Sequence, residues 1–213
     1  MATPSSGAIN LNEIHVEAGG SSGTSCSIND SDIRLIANKS SGATASWNDY
    51  YSRAADWSIT MTVGDGVISS SDGYTTTTTR YRGYMTSTTI QGQAVPSGGI
   101  GSMNDYQDSD YLANAVIDVL AIFGQQGTTA SNLKIQIFNG TISNDDTAFK
   151  SVVINGTTFN RTDAGFNQNN SADRVYTTWV WDVSGTIPTA NNVAYGPFGV
   201  NGASNTITFR RSR

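Results

Sequence analysis

Residues 151–159, Ser-Val-Val-Ile-Asn-Gly-Thr-Thr-Phe, place an Asn-Gly pair between two short runs of strand-forming residues. Valine, isoleucine, threonine and phenylalanine all favour extended backbone. Asn155 and Gly156 favour a type I′ turn, because both central residues of that turn need a positive φ. This stretch therefore predicts a β-hairpin, and a hairpin pairs its strands antiparallel.

Alternation of apolar and polar residues continues on both sides of this hairpin. Apolar residues occupy every second position from Trp57 to Val63, with serine or threonine between them, which is typical of a half-buried strand. Residues 113–123 are almost continuously apolar, which indicates a central strand buried on both faces. Further strands are predicted within residues 74–85, 133–137, 175–183 and 207–209.

Glycines divide these strands. Residues 64–66, Gly-Asp-Gly, predict a turn that ends the strand at Val63, and Asp72-Gly73 predicts another turn. Gly83 predicts a bulge or a strand end. Seven or eight short strands separated by turns indicate an all-β fold, an antiparallel β-sandwich or jelly-roll-like domain, which we place at residues 56–213.

Large aromatic side chains are expected to fill the core of this β domain. They are Trp57, Phe159, Trp179, Trp181, Phe198 and Phe209. An alternative for two of them is an exposed platform, formed by Trp179 and Trp181, that stacks on a sugar.

The first 55 residues follow a different pattern. Three six-residue units, 9–14, 28–33 and 45–50, each carry a small polar residue, then Glu or Asp, then an apolar or aromatic residue. A small polar side chain caps a helix start, and a carboxylate favours the positive end of the helix dipole. We therefore predict an N-terminal arm (residues 1–55) of short capped helices, ended by Gly19-Gly20 and by Gly42.

Helices of one or two turns are marginal alone in water, so this N-terminal arm needs a surface to lie on. Either it wraps the chain's own β domain, or it docks onto another protein, which is the interpretation we favour. The side chains expected at that partner interface are Ile9, Leu11, Ile14, Val16, Ile33, Leu35, Ile36, Trp47, Tyr50 and Tyr51.

Composition and charge argue against several classes of protein. The 213-residue chain has 12 Lys+Arg against 17 Asp+Glu, a net charge of −5, so we expect no nucleic-acid partner. Its most apolar stretch, residues 115–123, is far shorter than the roughly 20 residues that span a bilayer, so we expect no membrane partner. One cysteine, Cys26, and one histidine, His15, leave no intrachain disulfide and few routes to a metal site or a catalytic triad.

Titratable residues do not converge in the sequence, so we expect no enzymatic activity, no metal and no cofactor. The best candidates are Asp105, Asp108 and Asp110 beside Asn104. Three interpretations of these carboxylates are open. They belong to a solvated loop, they hold Ca²⁺, or two of them act as the carboxylate pair of a glycosidase. The basic end, with Arg210, Arg211 and Arg213, is either solvated or clamps an acidic surface.

Two stretches carry a resemblance to a known family. Residues 8–20, Ala-Ile-Asn-Leu-Asn-Glu-Ile-His-Val-Glu-Ala-Gly-Gly, and residues 47–51, Trp-Asn-Asp-Tyr-Tyr, resemble the signature ISLxDIxxExGG … ISLSDYY. That signature opens many structural proteins of tailed-bacteriophage virions. Residues 151–164, with Thr-Trp-Val-Trp at 178–181 and Pro-Phe-Gly at 197–199, resemble a β domain of phage structural proteins.

The resemblance implies a non-enzymatic structural component of a virion that is assembled in the host bacterial cytoplasm. The implied protein is tail-associated, as a tail fibre, tail tip or adaptor, and it forms a homo-oligomer. Its N-terminal arm docks onto another virion protein. Asn10 and Asn12 stand where the family usually has serine, and asparagine keeps the capping chemistry. Trp47 stands where the family has leucine. These departures leave open which virion protein is the partner.

Two alternatives share these features. One is a capsid decoration, head-fibre or neck protein, which needs the same docking arm. The other is an adhesion module that binds a host surface glycan through exposed tyrosines, namely Tyr74, Tyr81, Tyr84 and Tyr106.

Overall fold

A computed structural model describes residues 2–40, 42–51, 53–86, 96, 98–112, 115–144, 148–171 and 174–211, with the backbone only at 109, 110, 171 and 174. The described chain is mostly β, with short helices. The strands are β1 (Asp56–Thr62), β2 (Gly64–Ser71), β3 (Thr76–Met85), β4 (Ser102–Met103), β5 (Val116–Gln125), β6 (Ser131–Phe138), β7 (Ser151–Ile154), β8 (Thr157–Asn160), β9 (Gly165–Ser171), β10 (Arg174–Val183) and β11 (Ser204–Arg210). The helices are α1 (Leu11–Glu17), α2 (Ser31–Ile36) and α3 (Ser109–Leu112), and single 3₁₀ turns occur at Trp47–Tyr50, Arg161–Asp163 and Gly196–Phe198.

The strands form two antiparallel sheets around one hydrophobic core, consistent with the predicted all-β sandwich. The five-stranded sheet has the order β4-β1-β11-β7-β8, and the six-stranded sheet has the order β2-β3-β5-β6-β10-β9. Phe149 lies between them: its ring centroid is 4.9 Å from that of Trp179 on β10 and 5.6 Å from that of Phe209 on β11. The sheets are therefore joined by interdigitating aromatic side chains.

The Asn-Gly hairpin is confirmed. β7 and β8 pair antiparallel, with Ile154 opposite Thr157. Asn155 and Gly156 have φ angles of +51° and +81°, so both central residues occupy the left-handed region that a type I′ turn needs.

The central strand buried on both faces is also confirmed. β5 lies between β3 and β6, and every residue from Ile117 to Ile122 is buried. Leu120 belongs to the sandwich core, whereas Val119 and Ala121 pack with Met85 and Ile100 on the opposite face of the sheet.

The predicted role of Gly83 is wrong. Gly83 lies inside β3, whose pairing with both neighbours runs without a shift, and the bulge lies instead in β5, between Ile117 and Val119. A Cβ atom at Gly83 would lie 2.3 Å from the Leu120 carbonyl oxygen. The glycine therefore permits a close approach of two strands.

The predicted turn at residues 64–66 is wrong as well, because these residues begin β2, where Asp65 lies opposite Arg82. The turn at Asp72 is confirmed: its Oδ1 accepts the N–H groups of Tyr74 and Thr75 at 2.9 and 2.7 Å. These two hydrogen bonds hold the pKa of the Asp72 carboxyl below its ordinary value of 3.8, and the bond from Thr75 has the larger effect. With β2, β4 and β9, the described chain has more strands than the seven or eight predicted.

The predicted core is confirmed at five of its six aromatic residues, and Phe159 is partly buried against the same core. The alternative in which two tryptophans form an exposed sugar platform is wrong. Trp179 is fully buried and Trp181 is 3% exposed. Their indole N–H groups donate to Asn144 Oδ1 at 3.1 Å and to the Asn160 carbonyl at 2.6 Å, so their polar atoms are satisfied inside the domain.

Candidate functional site

Two turns of the N-terminal arm start with side-chain capping bonds. Asn10 Oδ1 accepts the Glu13 N–H at 3.0 Å, and Glu13 Oε2 accepts the Asn10 N–H at 2.9 Å, which is a reciprocal capping box at α1. At the Trp47–Tyr50 turn, Asp49 Oδ2 accepts the Ser46 N–H at 2.7 Å. These contacts use the small polar and acidic residues that the sequence pattern singled out.

The helices end at left-handed residues. α1 is followed by Gly19, whose φ is +96°, as predicted. α2 is followed by Asn38 with a φ of +54°, so the second helix ends before Gly42, where its end was predicted. Asparagine tolerates this conformation better than other residues with a Cβ.

Several of the predicted interface residues are buried within the N-terminal arm. Ile14, Ile33, Ile36 and Tyr50 have no exposed surface. They pack together with three alanines, Ala18, Ala37 and Ala55, in a small core separate from that of the sandwich. In this conformation these four side chains are not available to a partner.

The remaining predicted interface residues keep exposed surface. Trp47 is 47% exposed, whereas Trp57, Trp179 and Trp181 are each 8% exposed or less. The partly exposed members are Ile9, Leu11, Val16, Leu35 and Tyr51. Of the ten predicted interface residues, these six keep surface that a partner can reach.

Val16 also borders a cleft of about 530 Å³ between α1 and the first residues of the chain. The Thr3 N–H donates to the Arg53 carbonyl at 2.7 Å, which fixes one wall of this cleft. Its lining residues are Ala2, Thr3, Pro4, Asn12, Glu13, Val16, Glu17 and Ser22.

Ala55, the last residue of the N-terminal arm, bonds to the arm through its N–H and to one end of the sandwich through its carbonyl. Glu17 is 4% exposed, and its Oε1 accepts the Ala55 N–H at 2.9 Å. The Arg211 N–H donates to the Ala55 carbonyl at 3.0 Å, and the Arg211 guanidinium lies 4.0 Å from the centre of the Tyr111 ring. Burial raises the pKa of the Tyr111 hydroxyl far above its ordinary value of 10.

This junction changes the prediction for the basic end of the chain. Arg211 is 1% exposed, so it cannot clamp an external acidic surface. Arg210 lies 3.7 Å from Asp56, and Arg213 lies outside the described residues.

The four tyrosines proposed for glycan binding do not share one surface. Tyr74 is 99% exposed at the β2–β3 turn, and Tyr106 is 51% exposed. Tyr81 stacks on Phe123 at 5.7 Å on the outer face of β3, whereas Tyr84 packs against the sandwich core on the inner face. The structure therefore forms no platform from Tyr81 and Tyr84 together.

Two of the three aspartates proposed as a calcium or catalytic site have structural contacts. Asp105 Oδ2 accepts from Trp57 Nε1 at 3.3 Å, and Asp108 Oδ1 accepts the Tyr111 N–H at 2.9 Å. The side chain of Asp110 lies outside the described residues. Among the side chains described, no three of His, Cys, Asp or Glu come together as a metal site.

His15 and Cys26 make contacts within the N-terminal arm. His15 Nε2 lies 2.7 Å from Thr24 Oγ1, and Cys26 Sγ lies 3.9 Å from the Leu11 carbonyl. The Thr24 hydroxyl also donates to the Ser21 carbonyl at 2.7 Å, so its proton is bonded within the arm.

A buried ionic network at the end of the sandwich was not predicted from the sequence. Asp65 Oδ2 accepts from Arg82 Nη2 at 2.6 Å, and Asp65 Oδ1 also pairs with Arg80. All three side chains are 2% exposed or less. Arg82 donates further to the carbonyls of Asn191 and Gly199 at 2.9 and 2.7 Å, so the network holds the segment before β11 onto the sheet.

The sequence contained a signal for this network. Arg80 and Arg82 are two residues apart in a strand, so both point to the same face. That face turns toward the core, where an arginine needs buried acceptors.

Searches against protein-family models, curated proteins and solved structures found no match to this chain. The resemblance to virion proteins therefore rests on the quoted motifs alone. In the described part of the chain, no helix is long and apolar enough to cross a membrane.

Proposed function

We propose that this chain is a non-enzymatic structural component of a tailed-bacteriophage virion, associated with the tail. In this proposal the N-terminal arm docks onto another virion protein, and the β domain, a sandwich or jelly roll, is presented away from the contact. The protein acts by holding surfaces together and needs no bound cofactor.

The observation that carries the proposal is the exposure of Trp47 on an arm that is otherwise well packed. The arm has its own core and is tied to the sandwich through the backbone bond from the Arg211 N–H to the Ala55 carbonyl. Trp47 is not a member of that core. Half-exposed tryptophans are favoured anchors of protein interfaces, because they bury a large area with little loss of side-chain freedom.

The size of this contribution can be estimated. If docking buries the exposed half of the indole, about 100 Å² leaves water, and at about 25 cal/mol per Å² this is worth about 2.5 kcal/mol. That free energy corresponds to a roughly 70-fold change in affinity.

The test uses particles produced while the full chain is supplied as wild type, as Trp47→Ala or as Tyr74→Ala. Tyr74 is the matched control, because it is a more exposed aromatic residue that lies in the β domain. Copies of the chain per purified particle are counted by quantitative mass spectrometry. We expect Trp47→Ala to be depleted from particles and Tyr74→Ala to be present at the wild-type level.

Two results would contradict different parts of the proposal. Absence of the wild-type chain from particles would contradict the virion assignment itself. Incorporation of Trp47→Ala at the wild-type level would contradict docking through this surface. Depletion of Trp47→Ala from particles whose density places the chain on the head or neck would favour the decoration-protein alternative.

A further inference from the structure

β9 forms one outer edge of the six-stranded sheet. It pairs with β10 from Gly165 opposite Val180 to Ser171 opposite Arg174, without a register shift. In the described chain no strand pairs with its other side. Every described side chain of β9 is exposed or partly exposed, including Phe166 at 37%.

Two of the other sheet edges are short, and part of the third is covered. β4 has two residues and β8 has four, which leaves little backbone to pair. The first half of β2 is covered: a Cβ at Gly64 would lie 2.0 Å from the Gly101 nitrogen, and one at Gly66 would lie 2.7 Å from Pro96 Cβ.

Among the residues that the structure describes, β9 has none of these protections. Its seven residues, Gly-Phe-Asn-Gln-Asn-Asn-Ser, include no charge and no proline, and its pairing with β10 contains no bulge. Natural sheet edges avoid unwanted pairing by short length, charge, proline, bulges or cover. An edge that uses none of these is suited to receive another strand.

We propose that β9 pairs antiparallel with β9 of a second copy of this chain, joining the two six-stranded sheets into one continuous sheet across a twofold axis. The pairing is independent of docking by the N-terminal arm.

Side-chain chemistry favours a second copy as the occupant. Asn167 and Asn170 carry amide groups that both donate and accept hydrogen bonds, so identical edges are complementary to each other. The chain has a net charge of −5, and a strand without charge is where two copies meet with the least repulsion. Two identical strands that pair antiparallel are related by a twofold axis. The contact therefore uses the same surface of both copies and ends at a dimer.

The contact is expected to be weak and dependent on concentration. One strand pair buries less than the roughly 1,000 Å² of a stable protein interface. Dimerisation should therefore appear only at high concentration, or where neighbouring subunits are held side by side.

Sedimentation equilibrium of the full chain, from micromolar to millimolar concentration, tests the pairing. The wild-type mass should rise from that of a monomer toward twice that value. The double variant Asn167→Lys, Asn170→Lys should stay monomeric, because lysine on an edge strand opposes pairing with another strand. The control Thr157→Lys, Thr158→Lys, on the exposed edge strand β8, should behave as wild type. A wild-type chain that stays monomeric, or a β9 variant that dimerises equally, would overturn the proposal.

Hydrogen exchange on the unmodified chain gives a second measurement that needs no variant to fold. Amides of β9 should exchange more slowly as concentration rises, whereas amides of β8 should not change. Equal rates in β9 at all concentrations would also overturn the proposal.

Discussion

Arg82 holds the segment before β11 onto the six-stranded sheet. Its guanidinium is fully buried and pairs with Asp65 while donating to three backbone carbonyls, those of Asn191, Val193 and Gly199. In Arg82→Met the carbonyls lose their donor and the buried carboxylate keeps only Arg80. Because breaking a buried pair leaves uncompensated polar groups, the free energy of unfolding should fall by about 3–5 kcal/mol. Urea denaturation followed by tryptophan fluorescence measures this loss.

Lys39→Met is the matched control for that variant. Lys39 also pairs with an aspartate, Asp49, at 3.2 Å, but both side chains are about a third exposed, at 31% and 29%. A surface pair contributes less than about 1 kcal/mol. Equal losses in the two variants would show that burial of the Arg82 network is not what makes it stabilising.

At the scale of single elements, the β7–β8 hairpin depends on the conformation of Gly156. Its φ is +81°, and a Cβ there would meet no atom within 4 Å. Gly156→Ala therefore changes only the backbone energy, and a left-handed alanine costs about 1–2 kcal/mol. Thermal and urea unfolding should show a loss of this size.

Gly165→Ala is the control for the general effect of replacing a glycine by alanine. Gly165 lies in β9 with extended backbone, and the nearest atom to an added Cβ is the Val180 carbonyl oxygen at 3.7 Å, which is an ordinary contact. This variant should keep wild-type stability or gain slightly. If it lost as much as Gly156→Ala, the turn conformation would not explain the cost.

Elements with a local cause could be predicted from the sequence. The Asn155-Gly156 hairpin needs only its turn chemistry, and β5 needs only its apolar run. β2 could not be predicted, because Gly-Asp-Gly at residues 64–66 favours a turn locally, and the pairing of Asp65 with distant arginines draws it into a strand. β9 could not be predicted either, since a polar edge strand buries no face and so shows no alternation.

Part of the candidate site could be predicted from the sequence, because some of its contacts join residues that are close together in the chain. The capping contacts at Asn10 and Asp49 are local, and the sequence pattern indicated them. Which apolar side chains of the N-terminal arm face each other depends on how α1 and α2 cross, and no spacing in the sequence specifies that. The exposure of Trp47 beside the burial of Tyr50 is a result of that packing.

At the scale of the whole molecule, the two cores should differ in stability. The arm's core is built by helices of seven and six residues, whereas β5 and β6 lie inside a six-stranded sheet. Regions with few buried contacts open at lower free energy than core strands. Amides of α1 and α2 should therefore exchange with solvent faster than those of β5 and β6 in hydrogen-exchange mass spectrometry.

The helices and the central strands are measured in the same sample under the same condition. Their exchange rates therefore need correction only for the intrinsic exchange rate of each amide. Equal protection of the helices and the central strands would mean that the N-terminal arm and the sandwich unfold as one cooperative unit. The bond from the Arg211 N–H to the Ala55 carbonyl would then be the coupling to test.

The junction around Ala55 also brings together the two ends of the described chain. Ala2 forms a bridge with Ala54, and Arg211 bonds to Ala55, so the first and last described residues meet at one pole. Anything attached upstream or downstream begins at that pole, and a pull on both ends would load this small cluster before it stretched any sheet.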